Sequence, residues 1–472
     1  MIPKIKDFFA NIPTSIAKYF FILRNAWKDF RKKRALLNKI VFTIFLLSIF
    51  AIAGSITLPG VSVGNLDSNT FLGILNLVGG GGLRNFSIVA LGISPFITAS
   101  LVMQILQTKL FPPIYRLSQS GPIGRRKINI ITRAITIFLG VVQSMTIVSA
   151  LSAQNSFISL TNEFNVFWYQ FIILPVILIA GTVFSIFIGD QITDKGVGNG
   201  TTLLIFTGIV ITLPTQFTAT FNALVGEQQR VSSLSNGIVT FISYVFGFII
   251  LMYIIGFVYN AERRIPIQQV GAGRAKNEKE LSYLPIKINP GGISPIIFAL
   301  IIISFPQLFA SVFPISNPFR IWVESNLRPN NTIGFILFIS ITFIFAIFFG
   351  LQQSKVDKIA EDFAKNSTFI PGIKPGQETE TYLTGIVLRL CFFSAFYLII
   401  IGGMQFAQQL AGVPENISFG GTSVIILVTA SYETITQIQA RKKSQSLSQK
   451  HKKILEVTSK NNNDEKSKGL LW

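Results

Sequence analysis

The chain is a succession of apolar runs separated by short polar stretches. Ten runs approach the roughly 20 residues that a helix needs to cross a bilayer: 40–58, 86–106, 134–151, 166–188, 198–213, 238–259, 291–313, 332–352, 382–410 and 419–438. The pattern predicts an all-α polytopic membrane protein of ten transmembrane helices. An eleventh apolar segment, Phe71, Leu72, Ile74, Leu75, Leu77 and Val78, is too short to span and runs into four glycines, Gly79, Gly80, Gly81 and Gly82. Glycine there permits a sharp, mobile hinge. A half-helix folded back into the membrane is allowed only where protein or a cavity surrounds it; the alternative is a surface loop with an apolar tip.

One short word occurs twice. "GISPFI" begins at Gly92 and "GISPII" at Gly292. A recurring four-letter word is expected by chance in a chain this long, so position has to carry the inference. The copies open the second and seventh runs, five spans apart in a set of ten, and so head helices of opposite direction. Two inverted halves, spans one to five and six to ten, would place them so. Pro95 and Pro295 are expected to remove a helical hydrogen bond and press on the carbonyls of Leu91 and Gly291, with Ser94 and Ser294 able to satisfy the loosened backbone. Ile93 and Ile97 share a helix face, as do Ile293 and Ile297.

Composition supports the membrane reading. Half of the 472 residues are hydrophobic, 44 are Phe and only 13% are charged, whereas a soluble domain carries about 25% charge. The basic residues fix an expected orientation. With the amino terminus in the cytoplasm, 37 of the 41 Lys and Arg fall on that side, and only Arg84, Arg230, Arg320 and Arg328 fall outside. The positive-inside rule then puts both termini in the cytoplasm of a multi-pass protein of the cell membrane. Residues 1–34 lack the continuous core of a cleavable signal peptide. Their mixture of aromatic and basic residues predicts an amphipathic helix on the inner leaflet, with a solvated basic arm as the alternative. The tail after Lys460 has the composition of a disordered segment.

Candidate chemistry in the spans is sparse. Cys391 is the single cysteine and His451 the single histidine, so neither a disulfide framework nor a cysteine metal site is expected. Arg389 and Glu433 lie near span ends, within snorkelling reach of water. The remaining mid-span polar residues, Gln104, Gln143, Asn199 and several Ser and Thr, are mild. No nucleophile–base pair, phosphate loop or metal-ligand spacing is present, so neither an enzyme nor a cofactor is predicted. A secondary transporter would also show inverted halves and broken helices, but it needs a polar midplane site and ionisable coupling groups.

The stretches "FSIVALGISPFITASLVMQIL" and "IGDQITDKGVGNGTTLLIF" resemble the two long signatures of the SecY family, the channel subunit of the protein-export translocase. "SGPIGRRKI", "ERRIP", "LPIKINPGGISPIIFA", "PGIKPGQET" and "FGGTS" continue the match in order, from about residue 38 to 441. The resemblance implies a clamshell of two pseudo-symmetric halves, 39–216 and 238–440, joined by an external loop at 217–237. The cytoplasmic segment 1–38 precedes them and the basic tail 441–472 follows. A pore ring maps onto Ile93, Ile97, Thr201, Ile205, Ile297 and Ile426, with Thr201 departing from the family's usual aliphatic residue. A plug maps onto 71–85. A lateral gate between spans two and seven maps onto Gly92, Ser94, Pro95, Gln104, Gly292, Ser294, Pro295 and Ile301.

Such a waist has a physical rationale. Branched apolar side chains form a collar that water wets poorly, blocking ions without a charged gate. They also offer a sliding polypeptide no strong hydrogen bonds. Two cytoplasmic loops, 262–290 and 355–381, resemble the family's docking loops. Arg263, Arg264, Arg274 and Lys276 are candidates for ribosomal RNA phosphate contacts. Lys374 stands where the family commonly has Arg, which keeps the charge but loses bidentate geometry. Retention of the loops in the cytoplasm is the plainer role of such charges. The partners implied by resemblance are the SecE and SecG membrane proteins, the SecA motor ATPase, the ribosome, precursor or nascent polypeptides, and membrane lipids.

Overall fold

A computed structural model describes residues 34–63, 79–108, 111–151, 158–160, 166–226, 231–269, 282–310, 313–314, 316–414, 417–418 and 420–468. Each of the ten apolar runs falls on a helix. These are α1 (Arg34–Ser55), α2 (Ser94–Leu106), α4 (Gly121–Leu151), α5 (Leu174–Lys195), α6 (Gly200–Phe221), α7 (Val231–Asn260), α8 (Ser294–Ala310), α10 (Thr332–Ser354), α12 (Gln377–Leu410) and α13 (Gly421–Lys468). Three shorter helices, α3 (Pro112–Gln119), α9 (Pro318–Asn326) and α11 (Val356–Lys365), lie in the connections. Among the described residues, seven helices are long and apolar enough to cross a membrane. α2 and α8 are apolar but shorter, with 13 and 17 residues.

Packing repeats between the halves. α2 packs on α4 as α8 packs on α10; α4 on α5 as α10 on α12; α5 on α6 as α12 on α13. α1 lies against α6, and α7 against α13. Each half holds five spans, an odd number, so the second half runs in the opposite sense to the first. The halves meet along α6 and α13 and, more sparingly, along α2 and α8. A single apolar cluster runs through both, from Phe50 on α1 to Val428 on α13. The leading helices α1 and α7 are the least covered, and side chains such as Phe45, Phe246 and Phe257 lie exposed along them. In a bilayer such faces contact lipid, which is as apolar as they are.

The span-two run departs from a simple helix. Residues 86–93 form irregular turns and helix begins only at Ser94. Thirteen residues reach about 20 Å, against roughly 30 Å of hydrocarbon, so α2 by itself is too short to span it. The backbone of the turns finds partners within the protein. The Leu58 amide donates to the Phe86 carbonyl (3.1 Å) and the Ile88 amide to the Ile56 carbonyl (3.2 Å). Leu83, Phe86 and Leu91 are fully buried beneath α4 and α5.

The prolines act differently from the sequence expectation. Pro95 occupies the first turn of α2, where no intrahelical hydrogen bond exists to lose, and Pro295 follows Ser294 at the start of α8. At such positions proline's fixed φ favours helix initiation. Each helix start is reached through a glycine in the left-handed region, Gly92 at φ +50° and Gly292 at φ +60°. The repeated word therefore encodes one turn twice: a glycine reverses the chain and a proline launches the helix.

Short ladders tie the connections between spans. β1 (Val61–Val63) pairs with β2 (Ile158–Leu160). β3 (Glu262–Pro266) forms an antiparallel hairpin with β5 (Tyr283–Lys287). β4 (Gln268–Gln269) pairs with β6 (Thr368–Phe369), so the two loops flagged as docking elements are joined to each other. Ile265, Ile286, Val356, Ile370, Leu383 and Val387 bury a small core beneath them.

Candidate functional site

The isoleucines of the expected ring all belong to one large buried cluster. Ile93 and Ile97 from the head of α2, Ile205 on α6, Ile297 on α8 and Ile426 on α13 are all buried in the cluster shared by the halves. Thr201 is half-buried, one helical turn before Ile205. Its amide donates to the Asn199 side chain (3.1 Å), which caps α6. Among the described residues no Asp, Glu, Lys or Arg is buried. The convergence of the halves is therefore branched, apolar and uncharged.

The glycine run seals one side of this cluster. Gly79, Gly80 and Gly82 are buried, which excludes an exposed loop for this part of the segment. Residues 71–78, expected to form the rest of the plug, lie outside the described residues. The Gly79 carbonyl accepts the Ile93 amide (3.2 Å). A Cβ on Gly92 would collide with that same carbonyl, and one on Gly208 of α6 would collide with the Gly80 backbone. Gly80 (φ +95°) and Gly81 (φ +83°) make the turn. The glycines thus serve close backbone approach, beyond the hinge expected of them.

The second copy of the turn is held by side chains instead. Asn289 donates from Nδ2 to the Gly292 carbonyl (3.1 Å) and accepts from the Ser394 hydroxyl on α12 (2.7 Å). Gln353 Nε2 lies 3.4 Å from both the Gly291 carbonyl and the Ser294 hydroxyl. Pro295 is buried, and Ile301 lines the partly buried face of α8 that packs on the central cluster. At the far end of α2, the Gln104 carbonyl accepts from Gln352 Nε2 on α10 (2.6 Å). Sequence reasoning missed Asn289, Gln352, Gln353 and Gly208. All four are legible as polar or small residues at the ends or in the midst of apolar runs, but their partners are distant in the chain.

The docking residues occupy the joined loops. Arg263 and Arg264 extend from β3, both exposed. Arg264 donates to Glu262 (2.9 Å) and lies 4.8 Å from the centre of the Tyr283 ring. Lys374 is 86% exposed at its side chain, with Glu378 at 3.9 Å. Arg274 and Lys276 lie outside the described residues.

Two antiparallel five-helix halves sharing one buried apolar cluster define a helical membrane protein of the protein-conducting-channel architecture. The chain belongs to the SecY family, whose sequence model matches residues 87–435. It is 37% identical over 416 residues to protein translocase subunit SecY of Mycoplasmoides gallisepticum, covering 87% of this chain and 83% of that protein. It is 33% identical over 422 residues to the Staphylococcus aureus subunit, covering 88% and 96%. Among solved structures, a protein-conducting channel superimposes with a TM-score of 0.60 at 18% identity, over 86% of this chain and 92% of that one. Sec61 in the canine ribosome–channel complex superimposes with 0.56 at 18% identity, over the same shares.

Proposed function

We propose that this chain is the channel-forming subunit of a protein translocase, passing unfolded polypeptides across the cell membrane and releasing apolar segments sideways into lipid. The observation that supports the reading is that Ile93, Ile97, Ile205, Ile297 and Ile426 all lie in one buried apolar cluster drawn from both halves. A collar of this kind closes around an extended chain without binding it, and excludes ions because wetting it is unfavourable. Thr201 borders the collar and contributes little to the seal.

In this reading the glycine run seats the plug. α2 and α8 are the two lips of the lateral gate, and their sparse mutual packing suits elements that part. The joined loops carrying Arg263, Arg264, Arg274, Lys276 and Lys374 face the cytoplasm and receive a ribosome or the SecA motor. Both termini lie on that side. SecE and SecG cover part of the outer belt. A bound partner supplies the driving energy, since the collar offers only passage.

Planar-bilayer conductance of the reconstituted translocase tests the collar. Asn at position 93, 97, 297 or 426 is expected to raise the resting ion leak and to admit precursors with weakened signal sequences. Parental leak in all four variants would remove the collar from the mechanism.

A further inference from the structure

The end of α2 leaves one carbonyl for another element to satisfy. The last four carbonyls of a helix lack intrahelical donors. Here the Gln107 amide turns to the Met103 carbonyl (3.0 Å) and the Thr108 amide to the Ile105 carbonyl (3.0 Å). The Thr108 hydroxyl goes to Ile105 as well (2.7 Å). Among the described residues no backbone amide takes the Gln104 carbonyl, which accepts from Gln352 Nε2 at 2.6 Å. Gln352 belongs to the last turn of α10, in the opposite half of the molecule.

Its neighbour faces the other lip. Gln353 reaches the Gly291 carbonyl and the Ser294 hydroxyl at the head of α8. α10 and α8 are further bound by Phe298 against Phe345 and Phe349, with ring centres at 4.3 and 5.6 Å. α8 and α10 therefore move together, and a separation of α2 from α8 must break the Gln352–Gln104 bond. The topology agrees: the end of span two, the start of span seven and the end of span eight all lie at one membrane face.

We propose that Gln352 is a latch on the lateral gate, a positioning residue whose hydrogen bond to Gln104 sets how readily α2 parts from the C-terminal half. The proposal rests on the gate assignment above. Among the described residues the latch holds by this one amide hydrogen. A weak fastening of this kind suits a gate opened by the modest binding energy of a signal sequence.

The test uses the complete translocase in planar bilayers, with spin-label distances between α2 and α8 as a second readout. Gln352→Ala and Gln352→Met both remove the donor, and Met keeps the volume should Ala impair folding. Gln352→Glu removes the donor and sets a negative charge against the carbonyl. Each is expected to raise the open probability roughly three- to tenfold, the range of one modest net hydrogen bond, and to lengthen the α2–α8 distance. Gly385→Ala on α12, where a Cβ meets nothing within 4 Å, is expected to leave both unchanged.

Parental opening in all three position-352 variants, or equal opening in Gly385→Ala, would overturn the latch. A control separates this failure from failure of the gate itself. Cysteines at positions 97 and 301, in a background lacking Cys391, are joined by a short bifunctional thiol reagent. If the bridge blocks export while Gln352→Met opens normally, only the latch is wrong. If the bridged channel still exports a long precursor, the gate assignment is wrong and the latch falls with it.

Discussion

Gly208 offers a sharp test because the usual sign of a helix substitution is reversed there. Replacing an exposed helix-interior glycine by alanine gains about 1 kcal/mol of helix propensity. On α6 the new Cβ would stand 2.5 Å from the Gly80 Cα and closer still to its carbonyl. Ordinary contact begins near 3.4 Å, so the glycine run must retreat by roughly 0.9 Å or more. Overpacking against backbone costs about 1 to 3 kcal/mol. The cost falls on the seated arrangement of the glycine run, so an equilibrium with the unseated one shifts by about 5- to 150-fold. Gly385 on α12 is the matched control, since a Cβ there meets nothing within 4 Å. Single-channel recording should show Gly208→Ala opening far more often than the parent and Gly385→Ala within twofold of it. Equal behaviour of the two alanine variants would refute the claim that backbone contact at Gly208 seats the run.

Two further outcomes are expected. Arg263→Ala and Lys374→Ala should weaken sedimentation with ribosomes and flatten its salt dependence by about one unit of logarithmic slope per lost phosphate contact. Lys374→Arg should retain binding, and unchanged salt slopes in both alanine variants would take these residues out of the interface. On α13, Arg441 donates to the Gly196 carbonyl at the end of α5, beside the Thr43 hydroxyl that receives the Val197 amide (2.9 Å). Arg441→Ala should cost roughly 1.5 to 3 kcal/mol, the range for a charge-assisted bond. A melting temperature in detergent equal to the parent's would show that this junction contributes nothing.

The paired turns were legible in the sequence because their chemistry is local. Gly92 and Gly292 could be paired because identical turns need identical residues, and the structure gives both a left-handed φ. The role of Pro95 was misread because a continuous apolar run does not reveal where helix begins. Residues 86–93 are as apolar as the helix after them, yet they are held in turns by Ile56, Leu58 and Gly79. The four glycines read as a hinge because flexibility is what glycine contributes locally. Their close approach to Gly208 and Gly92 depends on segments distant in the chain.

Hydrophobicity along the chain determined by itself that this is a membrane protein with ten apolar runs, and the spacing of one repeated word determined that its halves are inverted. Both follow from transfer free energies and chain direction, which are properties of each segment. Tertiary structure alone decided that five isoleucines share one cluster, that the loops at 262–290 and 355–381 are zipped together, and that Gln352 reaches across the halves to Gln104. Those are matters of which surfaces meet. The membrane fixes only the depth and direction of each helix, leaving its neighbours to be chosen by close packing.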